Sequence, residues 1–381
     1  MVWYAFNPIL LGVILLAVTI LCLRFKDMAK LTKPLAVFLA VAVAFSLGQA
    51  VFYSTKVSAI PPVALVDNSE NNPNIYFIIP DRFPSIAAMQ ETGIDTTEFT
   101  TQLRADGFYI NPNQISHDLF TPNTKDATTT RTMRYLAAVL NMGETVTLTT
   151  PYKTVLQMIK DPSIIPIAHL LGYEYINIGS WFTETAVSPN ADYNYIYEGG
   201  SLADKIYRDE FSVAVWDRSL LHGFSLRRLL GASTINDLEM RRELYQTQTI
   251  QSVARQDGPR LVFMHLIMPH PPYVWDADGN PQTDTTLSEP ELYRQQIIYA
   301  QQFLIEMERG IVANDPTAII LFQSDEGMAY QKPLALNLAL SPTQWNGVLS
   351  AWRIPGMHVS DMENVLHTDV LKLVMNWVRS K

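Results

Sequence analysis

The chain has 381 residues, 48% hydrophobic and 17% charged, with 28 Lys/Arg against 37 Asp/Glu and a formal net charge of −9. That composition supports a sizeable core and excludes wholesale disorder and fibrous or low-complexity classes. One cysteine, Cys22, excludes an intramolecular disulfide framework and a cysteine zinc site.

At the N-terminus, Phe6–Leu23 (FNPILLGVILLAVTILCL) and Leu35–Tyr53 are uncharged runs of 18 and 19 residues. A helix needs about 20 apolar residues to cross a bilayer core, so each is long enough to span it. No basic region precedes the first run and no small-residue cleavage site follows it, which argues against a signal peptide. In the loop 24–34, Arg24, Lys26, Lys30 and Lys33 stand against Asp27 alone, and the positive-inside rule puts that loop in the cytoplasm. Residues 1–53 are expected to be a two-pass transmembrane hairpin of the plasma (inner) membrane. Everything after Tyr53 is then extracytoplasmic, or periplasmic where a second membrane exists. Residues 1–66 hold five Lys/Arg and one acid, which leaves 23 bases and 36 acids beyond them. An ectodomain that acidic has no electrostatic footprint for nucleic acid.

Residues 54–73 mix Pro, Asn and Ser and read as a linker. From Asn74 to the C-terminus short apolar runs alternate with helical patterns. The strand candidates are Ile75–Ile79, Glu174–Ile178, Leu261–Ile267, Ala318–Phe322 and Val348–Ile354, each compact enough to be buried on both faces. Between and after them lie the amphipathic stretches Asp237–Arg255, Glu289–Val312 and Asp369–Val378. The second opens on Ser288-Glu-Pro-Glu291, a capping-box spacing with proline in the first turn. This alternation predicts an α/β domain over 74–381, a mainly parallel central sheet flanked by helices. Ligands bind such sheets beyond the C-terminal strand ends.

Two acidic positions occupy those ends: Asp81 closes NIYFIIPD, and Asp325-Glu326 closes AIILFQSDEG. Each is either a turn former or a member of a site. Asp325 and Glu326 repel one another if both are ionised and close, and a bound cation relieves that. The Thr-rich stretch Thr121–Thr132 (TPNTKDATTTRT) leads into a helical pattern, where a hydroxyl serves as a plain N-cap or faces an anion at the helix dipole. A nucleophilic threonine there needs a base or a metal. In LVFMHLIMPHPPYVWDADG, His265 lies inside the strand and reads first as a core residue. His270 follows it, braced by Pro269, Pro271 and Pro272.

Together these segments resemble the sulfatase/alkaline-phosphatase superfamily, in particular its membrane-anchored branch of lipoteichoic-acid synthases and phosphoethanolamine transferases. NIYFIIPDRFPS, GYEYINIGSWF, HLIMPHPPYVWDADG, AIILFQSDEG and SAWRIPG look like that group's landmarks in order, across residues 74–381. The resemblance implies an alkaline-phosphatase-like fold and a membrane-anchored, metal-dependent hydrolase or transferase. Such an enzyme moves a phosphoglycerol- or phosphoethanolamine-type group on an envelope phospholipid or polysaccharide. It carries Asp81 over as the first metal-binding acid, Thr132 as nucleophile and metal ligand with Thr130 as fallback, and Asp325 as the second metal-binding acid. His270 matches a histidine that handles the substrate phosphate, and His265 is a further substrate-binding candidate.

The family's usual Asp-His-Gly is Asp325-Glu326-Gly327 here. Taking Glu326 as a ligand gives an all-oxygen set that suits one Mn²⁺, Mg²⁺ or Ca²⁺ better than Zn²⁺. The same substitution motivates a rival reading, a catalytically degenerate binding or scaffold protein of envelope-polymer assembly. A formylglycine sulfatase is disfavoured: Cys22 lies in an apolar run, and Ser288-Glu-Pro-Glu-Leu292 lacks the arginine of the (C/S)-x-P-x-R pattern. Sulfate-ester hydrolysis without formylglycine is the remaining alternative.

Overall fold

The computed structural model describes residues 72–116, 127–147, 149–197, 233–256, 258–331 and 334–381. The two N-terminal apolar runs, and most of the linker, lie outside the described residues. Among the described residues no helix is long and apolar enough to cross a membrane. All described residues except Ser233 belong to one compact unit drawn from Val63–Tyr197 and Thr234–Lys381.

Its centre is a seven-stranded sheet. The strands are β1 (Ile75–Pro80), β2 (Tyr109–Ile110), β3 (Glu174–Ile178), β4 (Tyr193–Tyr195), β5 (Arg260–Leu266), β6 (Ile319–Gln323) and β7 (Ser350–Arg353), in the order β2-β7-β6-β1-β5-β3-β4. The pairs β1–β5, β1–β6, β3–β5 and β3–β4 are parallel; β7 runs antiparallel to β6, and β2 antiparallel to β7. The mainly parallel α/β sheet read from the sequence is therefore present. Two short edge strands, β2 and β4, were not anticipated.

β1 sits mid-sheet, and both its faces are covered. Tyr76 and Ile78 point into one core with Ile250 and Val253 of α2 (Ile235–Ala254) and Ile297, Leu304 and Ile311 of α3 (Glu289–Asn314). Ile75, Phe77 and Ile79 point into the other, with Leu136 and Val139 of α1 (Ala127–Leu140) and Leu371 and Val374 of α4 (Val370–Arg379). A strand buried on both sides must be apolar throughout, which is why its sequence shows a run rather than an alternation. Each buried aliphatic side chain contributes about 1.5–3 kcal/mol.

Local signals set the helix boundaries, with one correction. Thr234 caps α2 in a reciprocal capping box with Asp237. Ser288 is the N-cap residue of α3, yet its side chain makes no cap hydrogen bond. The Glu291 N–H is instead satisfied by the Ser288 carbonyl at 3.0 Å, so the expected capping box does not form there.

The topology decides where chemistry can gather. Because β5, β1 and β6 are adjacent and parallel, their C-terminal ends open side by side. The register pairs Ile79 with His265, and Asp81 N–H extends that ladder to the Leu266 carbonyl at 2.8 Å.

Candidate metal centre and nucleophile

Asp81 follows the last residue of β1, His265 is near the end of β5, and Asp325 lies two residues past β6. One potential ligand atom from each falls within 4.8 Å of the others, and all three residues are buried. His265 Nε2 lies 3.6 Å from Asp81 Oδ2. Its Nδ1 meets the Thr185 hydroxyl at 3.0 Å, and Thr185 also bonds the Phe182 carbonyl at 3.3 Å. When Thr185 donates to that carbonyl it accepts Nδ1–H, leaving the Nε2 lone pair aimed at Asp81.

Asp81 Oδ1 and His265 Nε2 are buried without a hydrogen-bond partner. An imidazole lone pair and two carboxylates crowded together in a dry site repel one another unless a cation or protons intervene. Burial, with the Asp81 and Glu326 carboxylates adding to it, pushes Asp325 up to about 7. The donor set, two carboxylates and one imidazole with a second-sphere hydroxyl on the histidine, fits a divalent metal ion.

Thr132 stands next to this group. It lies in the second turn of α1 rather than at the helix N-terminus, so its hydroxyl is not a cap. Instead it donates to Asp325 Oδ2 at 2.5 Å. The other oxygen, Oδ1, accepts the Arg82 N–H at 3.2 Å, which fixes the carboxylate plane. Thr130 lies on the same helix, where its side chain is outside the described part.

Glu326 goes elsewhere. Its Oε1 accepts from Arg82 Nε at 2.6 Å and its Oε2 lies 3.9 Å from Arg131 Nε. It is not in the three-residue group, where the nitrogen donor is His265. The physical reason is the turn after β6: consecutive side chains leave it in different directions, so Asp325 faces β1 and Thr132 while Glu326 faces the arginines. Gly327 makes this turn possible. A Cβ there would sit 2.6–2.8 Å from the carbonyl oxygens of Gln344, Trp345 and Gly347.

His270 is half-buried at the edge of the site, its Nδ1 2.5 Å from the Pro271 carbonyl and its ring 5.8 Å from that of Trp181. Burial, reinforced by the Arg82 charge and opposed by Asp81, pushes its imidazole down to about 4. The ring is therefore neutral at pH 7. With Nδ1–H on the carbonyl, Nε2 is left as an acceptor.

Sequence reading assigned no role to Arg82, Arg131 or Thr185. The first two directly adjoin Asp81 and Thr132 in the motifs quoted above, which was the available signal. Thr185 carried none, because only the folding of the 179–186 segment brings it beneath His265.

A model of the Sulfatase family matches residues 73–360. Among solved structures, the chain is similar to the C-terminal periplasmic domain of EcEptC from Escherichia coli in complex with zinc. That match has 14% identity and a TM-score of 0.48, covering 82% of this chain and 84% of that one. It is similar to a lipoteichoic acid synthase from Listeria monocytogenes (13% identity, TM-score 0.49, 81% and 72% covered). A third is the lipooligosaccharide phosphoethanolamine transferase A from Neisseria meningitidis (14% identity, TM-score 0.48, 96% and 67% covered). No curated protein sequence gives a significant match.

Proposed function

Because the chain belongs to the sulfatase family, we propose that it is a metal-dependent phospho-group hydrolase or transferase that works through a covalent intermediate on Thr132. The observation that carries this reading is the 2.5 Å bond from the Thr132 hydroxyl to a carboxylate of the three-residue group. A hydroxyl with its proton already directed at a buried carboxylate is the arrangement an activated nucleophile needs. Phosphate is favoured over sulfate because the nucleophile is a threonine rather than the cysteine or serine of a formylglycine motif.

Asp81, His265 and Asp325 are the proposed ligands, with the Thr132 oxygen completing the set; the imidazole removes the earlier reason to prefer Mn²⁺, Mg²⁺ or Ca²⁺ over Zn²⁺. A divalent ion bound there would lower the hydroxyl pKa and neutralise charge building on the phosphoryl oxygens. The Thr132 oxygen attacks phosphorus as its proton passes to Asp325 Oδ2, the bond to the leaving alkoxide breaks, that alkoxide takes a proton from water, and a phosphothreonine results. His270 Nε2 then takes the proton of the acceptor hydroxyl or water as its oxygen attacks phosphorus, the bond to Thr132 breaks, and the Thr132 oxygen recovers its proton from Asp325. The domain at 74–381 would be tethered outside the plasma membrane by the hairpin 1–53 and linker 54–73. Tethering raises the effective concentration of a lipid-borne or polysaccharide envelope substrate.

The test is chemical trapping. Full-length enzyme quenched during turnover of a phosphodiester should carry a phosphate on Thr132 by peptide mass spectrometry. An adduct on another residue would displace Thr132. No adduct, together with no binding of Mn²⁺ or Zn²⁺, would favour the scaffold reading.

A further inference from the structure

A buried imidazole reaches the Thr132–Asp325 pair from the core side. His367 opens the short 3₁₀ turn His367–Asp369 that leads into α4, and it is almost fully buried. One face of its ring stacks on Tyr135 of α1, with centroids 4.8 Å apart and planes inclined by 26°. Tyr135 follows Thr132 by three positions, one helical turn further along the same face. The ring edge meets the end of β6. There Nε2 lies 2.6 Å from the Ser324 carbonyl, and Nδ1 lies 2.7 Å from Gln323 Nε2. These partners fix the proton. A carbonyl only accepts, so Nε2 carries the hydrogen and donates it. Gln323 Nε2 also donates to the His367 carbonyl, which identifies it as the amide nitrogen and leaves Nδ1 as an acceptor.

The Ser324 carbonyl is half of the planar peptide that joins Ser324 to Asp325, so the His367 bond fixes the plane from which the Asp325 side chain departs. Other bonds hold Ser324 from the remaining sides. Its N–H donates to the Leu349 carbonyl at 3.0 Å, and its hydroxyl accepts the Phe83 N–H and donates to the Glu326 carbonyl, both at 2.9 Å. What distinguishes His367 is that it touches two elements at once, stacking on α1 and hydrogen-bonding β6 and the residue after it. Those are the elements that the Thr132–Asp325 bond connects. An apolar side chain would fill the same volume with no polar atom to satisfy. An imidazole with both nitrogens engaged adds direction, because a buried hydrogen bond holds only in a narrow range of distance and angle.

We propose that His367 is a positioning residue of this centre, a role that rests on the reading of Asp325 as ligand and as acceptor of the Thr132 proton. Its Nε2–H sets the Ser324–Asp325 peptide, and its ring spaces α1 from the end of β6. Together the two contacts fix how far Asp325 reaches toward a bound cation and toward the Thr132 hydroxyl. His367 acts through Asp325 and does not itself take part in the chemistry. The effect is large for a small displacement, since a shift of about 1 Å at reacting groups costs about a hundredfold in rate.

Two measurements on the purified full chain test this: calorimetric titration with Mn²⁺ and Zn²⁺, and rapid-quench formation of phosphothreonine from bis(4-nitrophenyl) phosphate. His367→Gln keeps an N–H where Nε2 stands and should remain within about threefold of wild type in both. His367→Asn keeps a partner for Gln323 but stops short of the Ser324 carbonyl. It should lose at least about tenfold in cation affinity and in adduct rate. Equal losses in the two variants would reduce His367 to packing and overturn the proposal, and so would wild-type values in His367→Asn. Tyr135→Leu removes the stacked ring while leaving His367 in place, which keeps the spacing role testable should His367→Asn not fold. It should slow adduct formation about tenfold, and an unchanged rate would overturn that role. A wild-type chain that binds the cation but forms no adduct would remove Thr132 as nucleophile. The cation affinities of the histidine variants would still decide the link from His367 to Asp325, so the two failures are distinguishable. No binding of either cation by the wild-type chain would overturn both.

Discussion

Thr132 and Asp325 are 193 positions apart in the chain and joined by a 2.5 Å hydrogen bond from hydroxyl to Oδ2. That bond ties the second turn of α1 to the end of β6 and couples the proposed nucleophile to a carboxylate of the candidate metal group. Thr132→Ala should therefore lower phosphodiester turnover by about three orders of magnitude, while Thr132→Ser, which keeps the oxygen, should lose about tenfold to a hundredfold. Steady-state kinetics on both variants checks this. Equal activity in the two would remove the hydroxyl from the mechanism.

His265 is oriented from behind by Thr185 at 3.0 Å. Thr185→Val keeps the shape and removes the partner of Nδ1. Divalent-cation affinity should fall about tenfold to a hundredfold, the usual effect of losing a second-sphere partner, and His265→Ala should lose more. Titration with Mn²⁺ and Zn²⁺ measures both. Chelation of the wild-type chain should also lower its thermal midpoint, because saturation at a hundred times Kd is worth about 2.7 kcal/mol.

Gly327 is enclosed by three backbone carbonyls that no side-chain movement can clear. Gly327→Ala should destabilise the protein by about 1–3 kcal/mol, the usual cost of overpacking, and reduce activity by moving Asp325 and Glu326. Denaturant midpoint and turnover, measured together, check it. An alanine variant with wild-type values in both would show the turn to be pliable.

Glu308 on α3 gives a pH dependence away from the site. Burial, with Asp106 adding to it, raises its carboxyl from about 4.5 to about 7, and neither oxygen has a hydrogen-bond partner. The folded state therefore binds this proton more tightly than the unfolded state. The stabilisation is complete below about pH 4.5 and is lost as pH rises through about 7, amounting to about 1–3 kcal/mol. Urea midpoints at pH 5 and pH 8 should differ less in Glu308→Gln than in wild type. An unchanged difference would place the dependence elsewhere.

Ile78 lies at the middle of β1 with no exposed surface. Ile78→Ala should cost about 2–5 kcal/mol from lost transfer energy and the cavity left behind. Equilibrium unfolding measures it, and a cost under about 1 kcal/mol would mean the core collapses around the gap.

Much of this architecture was legible before any coordinates. Five strands and three helices announced themselves because strands buried on both faces are continuous apolar runs and surface helices carry an apolar stripe. β3 was read to the residue, at Glu174–Ile178. The edge strands β2 and β4, with two and three residues, carry too little pattern to stand out. The apolar runs that would anchor the chain are a matter of composition and lie outside the described residues.

At the site the sequence by itself determined the candidates: Asp81 and Asp325 beyond buried strands, a threonine leading into a helix, a proline-braced His270. Only tertiary structure decided the partners. His265 looks like a core residue from its apolar neighbours along the chain, and becomes a potential ligand because the β1–β5 register sets it beside Asp81. Glu326 looks like a ligand from its neighbour Asp325, and faces two arginines because side chains diverge around a tight glycine turn. Proximity along a chain constrains which residues share a strand end. Direction in space, which determines what each one can bind, is set by pairing register and turn geometry that no local pattern encodes.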